Sequence, residues 1–139
     1  MFEITMNADP ENIAMICLSA RAIASHNGLS EEQLSAIELA ISEAVTNSME
    51  HAYKWDKKQL VKVEFGFVEN CLEITVSDQG EAIPDNLLGN FQADSKAFEE
   101  DDMLTADSGR GLMLIGMLMD NISYSQSCGF NHLHMKKCT

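Results

Sequence analysis

The chain has 139 residues, with Asp and Glu totalling 22 against Lys and Arg totalling 9, a formal net charge of −13. That length suits one domain, residues 1–139, able to bury a core without disulfides or a structural metal. A surface so acidic repels phosphate backbones, which argues against direct nucleic-acid binding but leaves a small phosphate ligand open, because a divalent cation and oriented backbone N–H groups can hold phosphates against the global field.

No apolar run approaches the roughly 18 residues of a membrane span. Met1 to Asn7 lack the basic-then-apolar order of a signal peptide, so a cytoplasmic protein with no membrane contact is expected. Cys17, Cys71, Cys128 and Cys138 form no CxxC and no zinc-type cluster. Four reduced thiols are the expectation.

In chain order, Phe2, Ile4 and Met6 alternate with Glu3, Thr5 and Asn7, the period of a strand. Asp9-Pro10-Glu11 has the form of a helix start, with Asp9 as N-cap and Pro10 in first position, and Asn27-Gly28 that of its end. Ser30-Glu31-Glu32-Gln33 is a capping box opening a second helix. That helix carries Leu34, Ile37, Ile41, Val45 and Ser48 on one stripe and should end near Tyr53 to Trp55. Val61, Val63, Phe65 and Phe67 mark a strand. Glu69-Asn70 is a tight turn, and Leu72, Ile74 and Val76 mark the hairpin partner. From Gln79 to Ser108 no period appears, and the stretch includes the acidic run Glu99-Glu100-Asp101-Asp102, read as a solvated loop face. Leu112 to Met119 is apolar nearly all round, the pattern of a buried helix. Strands over 122–127 and 130–136 follow, joined by Cys128-Gly129. The order β-α-α-β-β-loop-α-β-β predicts an α+β, two-layer sandwich: a mixed, mostly antiparallel sheet with helices on one face.

Three groups of residues could carry chemistry. Glu43 and Asn47, four apart, share a helix face beside the apolar stripe, with Ala36 and Ala40 before them and His51 after. Such a face suits the floor of a ligand cleft, although Glu and Asn at this spacing more commonly form a solvated boundary. Asp78 closes the apolar strand face of Leu72, Ile74 and Val76. A carboxylate there needs donors, and an adenine amine would supply one; Asp-x-Gly also opens turns very commonly. Ser108-Gly109-Arg110-Gly111, just before the apolar helix, could present backbone N–H groups and a guanidinium to an anion, or act as a glycine hinge. It is neither a Walker A loop nor a dinucleotide fingerprint. His132 and His134 share a strand face and could ligate a metal, but no carboxylate partner is assignable, and two exposed histidines is the simpler reading.

Together these segments resemble the Bergerat-fold ATP-binding domain shared by histidine kinases, gyrase-type ATPases and the Hsp90 family, and within it the bacterial anti-sigma-factor serine/threonine kinases. The segment from Ile41 to Tyr53, with Glu43, Asn47 and His51, resembles the N-box helix. Val76-Ser77-Asp78-Gln79-Gly80 resembles the G1 box, and Gly109-Arg110-Gly111-Leu112-Met113-Leu114-Ile115 the G2 box. The resemblance implies ATP and Mg²⁺ as ligands and Glu43 as general base. It implies that Asn47 holds the metal, that Asp78 reads the adenine amine, and that Gly80, Gly109, Arg110, Gly111 and Leu112 complete the nucleotide site. An ATP lid is implied over about 85–108. Two activities follow from it. The first is a kinase that phosphorylates a STAS-type anti-anti-sigma partner and sequesters a sigma factor, often as a homodimer. The second is a nucleotide-binding module that sequesters a partner without useful phosphoryl transfer. The chain departs from the family pattern in Glu81-Ala82-Ile83 after Gly80, and in Gly129-Phe130-Asn131-His132 near the end, where a Thr or Val commonly follows the turn.

Overall fold

The structure, a computed structural model, describes residues 1–88 and 107–139. The acidic run 99–102 and most of the expected lid therefore lie outside the described residues. The described elements are β1 (Phe2–Asn7), α1 (Glu11–His26), α2 (Glu31–Asn47) with a π-helical turn (Ser48–Ala52), β2 (Leu60–Val68), β3 (Cys71–Asp78), α3 (Asp85–Leu88), α4 (Asp107–Leu118), β4 (Asn121–Ser127) and β5 (Phe130–Cys138). No helix among them is long and apolar enough to cross a membrane.

The strands form one sheet in the order β1-β2-β3-β5-β4. All four pairings are antiparallel, so the sheet is not mixed. Two tight turns set the hairpins. Glu69 and Asn70 have φ of 51° and 66°, and Cys128 and Gly129 have 53° and 81°. Two successive left-handed residues give the turn whose twist matches that of flanking strands.

Alternation decides which sheet face is covered. Val61, Val63 and Phe65 of β2, Leu72, Ile74 and Val76 of β3, and Leu133 and Met135 of β5 are buried. They meet the buried stripe of α2 (Leu34, Ile37, Ala40, Ile41, Ala44, Val45) together with Ile16, Ala20 and Ala24 of α1 and Ile115 of α4. Truncating Ile41 or Phe65 to Ala in such a core costs about 2–5 kcal/mol. The capping box of α2 forms as expected: the Gln33 N–H donates to Ser30 Oγ, and the Ser30 N–H donates to Gln33 Oε1. Arg21 of α1 pairs with Glu31 and Glu38 of α2.

Three local expectations are corrected. Pro10, with φ −52° and ψ −27°, is the N-cap of α1, while the Asp9 carboxylate accepts from the Glu11 N–H. Helix α4 begins at Asp107, so Gly109, Arg110 and Gly111 lie in its first turns and not in a loop before residue 112. Glycine costs about 1 kcal/mol in a helix interior, which argues against a helix there from sequence. The packing of α4 along α2 overrides that cost. Finally, Cys71 and Cys138 form a disulfide and only Cys17 and Cys128 are free. The two bonded residues stand opposite each other in the β3–β5 register, although 67 positions separate them.

Candidate functional site

Helix α2 ends in an irregularity that shapes the site. The N–H of Tyr53 donates to the Ser48 carbonyl and that of Trp55 to Met49, widening the last turn. Lys54 and Trp55 then adopt φ of 52° and 61°. Such π-turns are rare and concentrate at functional sites. The widened turn brings the Ala52 carbonyl against the residues after β3, where the Glu81 N–H donates to it at 2.9 Å. A Cβ on Gly80 would lie 2.3 Å from that same oxygen, so only glycine fits. Tyr53 secures the corner: its hydroxyl donates to Leu60 O and accepts from the Gln79 N–H, both at 2.7 Å. Burial pushes the Tyr53 phenol above its ordinary pKa, so it stays protonated and keeps both roles.

Between the end of α2, β3, β5 and residues 81–87 lies a pocket. Its floor is apolar, from Val76 and Leu133. Asn47, Ser48 and His51 of the helix form one wall, and Ile83, Pro84 and Leu87 line the opposite side. At the rim Lys54 and Glu81 form an ion pair at 3.4 Å. Tyr124 of β4 also reaches the pocket, where its hydroxyl accepts from the Ile83 N–H at 3.0 Å. Burial raises the Tyr124 pKa as well.

Asp78 lines this pocket and is 7% exposed. Its Oδ1 accepts from Asn131 Nδ2 at 2.7 Å and from the Gly80 N–H at 3.1 Å, and its Oδ2 accepts from Ser48 Oγ at 2.8 Å. A carboxylate has about four acceptor directions. Three are occupied, and one on Oδ2 remains for a donor entering the pocket. A pocket with apolar surface from Val76, Leu133 and Ile83 and a buried carboxylate acceptor among them is suited to a flat heteroaromatic base carrying an amine.

Glu43 does not line this pocket. It lies in a second groove with Glu50, Arg110, Gly111 and Leu114, between α2 and the first turns of α4. Its Oε2 would be 2.9 Å from a Cβ on Gly111, so the carboxylate rests against a position without a side chain. Asn47, one helical turn on, belongs to the Asp78 pocket, and the Glu43–Asn47 face therefore runs from one cavity to the other. Leu112 is 1% exposed and lines neither cavity; its side chain serves burial. The side chain of Gly109's neighbour Arg110 reaches the second groove.

Sequence reasoning missed Asn131, Ser48 and Tyr124. Ser48 sat in the apolar stripe and carried no sign of its carboxylate partner. Asn131 and Asp78 are directly opposed in the β3–β5 register, which no local pattern reveals. The histidines are not simply exposed. His134 lies between the hydroxyls of Thr75 and Ser125, and His132 between those of Ser77 and Ser127. No group of three metal-ligating side chains occurs among the described residues.

Comparison with known proteins gives a consistent result. The histidine kinase-like ATPase domain family matches residues 6–137. The serine-protein kinase RsbW of Bacillus licheniformis is 39% identical over 124 residues, covering 86% of this chain and 74% of that protein. RsbW of Bacillus subtilis is 31% identical over 128 residues, covering 91% and 79%. Among solved structures, the SiaB–SiaC complex of Pseudomonas aeruginosa gives a TM-score of 0.70 at 13% identity, covering 98% of this chain and 88% of the matched one. The RsbU and RsbW domains of a Mycobacterium tuberculosis protein give 0.68 at 18% identity, covering 99% of this chain. The chain spans 32% of that mycobacterial protein chain. At these identities the two structures speak for the fold.

Proposed function

The chain belongs to the histidine kinase-like ATPase domain family, and on that premise we propose that it is an ATP-dependent protein serine/threonine kinase acting in a partner-switching circuit. One observation carries the nucleotide site: buried Asp78 lining a pocket beside Val76, Leu133 and Ile83, with one acceptor direction left. In this reading adenine lies between Val76 and Leu133 on one side and Ile83 on the other, with its amine donating to Asp78.

Asn47, on the pocket wall one turn from Glu43, offers an amide oxygen toward the phosphate end. Magnesium takes few protein ligands when phosphates complete its shell. The Asn47 side chain fits that demand, because it lines the pocket and its amide oxygen is a hard donor of the kind Mg²⁺ takes. Bound with the nucleotide, Mg²⁺ supplies charge neutralisation at the phosphates. Arg110 and the first turn of α4 supply guanidinium and backbone N–H donors to the same anionic end. Glu43, in the groove alongside, accepts the proton of the incoming hydroxyl. Gly109 and Gly111 keep the α4 backbone close to the ligand, Gly80 serves the site through its N–H to Asp78, and 85–108 acts as a lid over it.

The proposed substrate is a STAS-type anti-anti-sigma protein, the proposed captured partner is a sigma factor, and the setting is the cytoplasm, with the chain acting as a homodimer. The relatives are serine-protein kinases by name, which supports transfer to a serine. The test follows transfer of labelled γ-phosphate from Mg-ATP to candidate anti-anti-sigma proteins, beside calorimetry of ATP binding. Transfer to a serine is expected. Binding without transfer to any cognate partner replaces the kinase by a nucleotide-dependent sequestering module, and absence of binding removes the nucleotide site altogether.

A further inference from the structure

We propose that Asn131, held from behind by Gln126, is a positioning residue that orients Asp78 and so determines which nucleobase the pocket accepts. The proposal rests on the nucleotide reading above and does not depend on phosphoryl transfer. Asn131 is 6% exposed and lines the pocket. Its Nδ2 makes two donations, to Asp78 Oδ1 at 2.7 Å and to the Gly80 carbonyl at 3.0 Å. Its Oδ1 accepts from Gln126 Nε2 at 3.0 Å. The amide orientation follows from chemistry: turned over, Oδ1 would face a carboxylate and a carbonyl, two acceptors, and Gln126 Nε2 would meet an NH₂.

Both Asn131 N–H groups are thus committed, and neither is left for a ligand. The residue acts on the base through Asp78. Three donors from three places fix the carboxylate plane: the β5 side chain, the Gly80 backbone N–H and the Ser48 hydroxyl of the π-turn. Every contact made to Asp78 is a donation, which leaves it presenting only an acceptor to the pocket. An exocyclic amine at position 6 of a purine satisfies that acceptor. A carbonyl at the same position, as in hypoxanthine, places two acceptors against each other, and a buried mismatch of this kind is penalised strongly. A carboxylate free to rotate would lose that discrimination, because it could turn aside and admit a water between the two oxygens.

The experiment measures calorimetric Kd for Mg-ATP and Mg-ITP, in which a carbonyl replaces the 6-amine and N1 carries a hydrogen, for wild type, Asn131→Ala and Gln126→Ala. Wild type is expected to favour ATP. Asn131→Ala should weaken ATP by about 10-fold and ITP by much less, so that the ITP-to-ATP Kd ratio falls by nearly the same factor. Gln126 is exposed on the outer strand, so Gln126→Ala should fold normally; it should lower the ratio about 2–3-fold. A purely structural role for Asn131 would weaken both nucleotides equally. An unchanged ratio in Asn131→Ala overturns the proposal, and if that variant does not fold, an unchanged ratio in Gln126→Ala overturns it. Wild type that binds neither nucleotide overturns the nucleotide reading and this proposal together, whereas wild type that binds ATP with unchanged variant ratios overturns this proposal alone.

Discussion

The two cavities along α2 are built differently. The Asp78 pocket is set by sheet register: Asp78 faces Asn131 across β3 and β5, and a widened helical turn adds Ser48. The Glu43 groove is set by helix packing, with a carboxylate resting against Gly111 in the first turns of α4. In the first, hydrogen bonds hold the Asp78 carboxylate before any ligand arrives. In the second, a long side chain borders a position without a Cβ, and the space belongs to whatever enters. On the proposed function, the first selects the nucleotide and the second leaves room for the second reactant.

The largest effect that would sharpen this contrast is at Glu43. Glu43→Gln keeps the shape and removes the proposed base, so phosphate transfer should fall by roughly 10²–10⁴ while calorimetric ATP affinity stays within a few-fold. Transfer at the wild-type rate would show that Glu43 is not the base. Next comes Asp78→Asn, which replaces half of a buried acceptor with a donor facing the adenine amine. ATP affinity should drop by about 10–100-fold, as read by calorimetry, since hydrogen bonds to charged groups are worth about 1.5–3 kcal/mol. An affinity equal to wild type would place adenine elsewhere.

A pair of glycine variants breaks the comparison more finely. Gly80→Ala sets a Cβ 2.3 Å from the Ala52 carbonyl, a backbone atom that cannot swing away. It should destabilise by about 1–3 kcal/mol in urea unfolding and lose ATP binding with it. Gly111→Ala meets only the mobile end of Glu43 at 2.9 Å and sits inside a helix. Stability should hold or rise by up to about 1 kcal/mol, while transfer falls because the carboxylate has been moved. Equal stability losses in the two variants would contradict this difference between the cavities.

The smallest effect lies away from both, on the open face of the sheet. Burial, and next the neighbouring His132, lower the His134 pKa from 6.5, against the opposing pull of Glu64 and Glu73. The folded state therefore favours neutral His134, and its contribution is present above the unfolded pKa and lost as pH falls through the lower folded value. Urea midpoints at pH 7.5 and 5.5 should differ more for wild type than for His134→Gln. An identical difference would assign the pH response to other groups.

Much of the fold could be read locally. The alternation from Val61 to Phe67, the capping box at Ser30 and Gln33, and the turns at Glu69-Asn70 and Cys128-Gly129 each lie within a few residues, and the elements they mark are present. Asp78 was legible as a carboxylate closing an apolar strand face; the shared face of Glu43 and Asn47 was legible too, but not that the two residues line different cavities. The start of α4 was not legible, because two glycines lower helix propensity and only packing against α2 reveals that the helix continues through them.

By itself the sequence determined the order of elements, the covered sheet face and the residue types available for a site, because periods of about 2 and 3.6 residues express themselves over short stretches. Only tertiary structure decided which of those residues meet. It paired Asp78 with Asn131 across 53 positions and with Ser48 across 30, closed Cys71 onto Cys138, and separated Glu43 from the Asp78 pocket one helical turn away. Strand register and the widened turn of α2 bring about these meetings, and both depend on the whole core packing at once, since shifting a strand by one residue would turn its entire buried face outward.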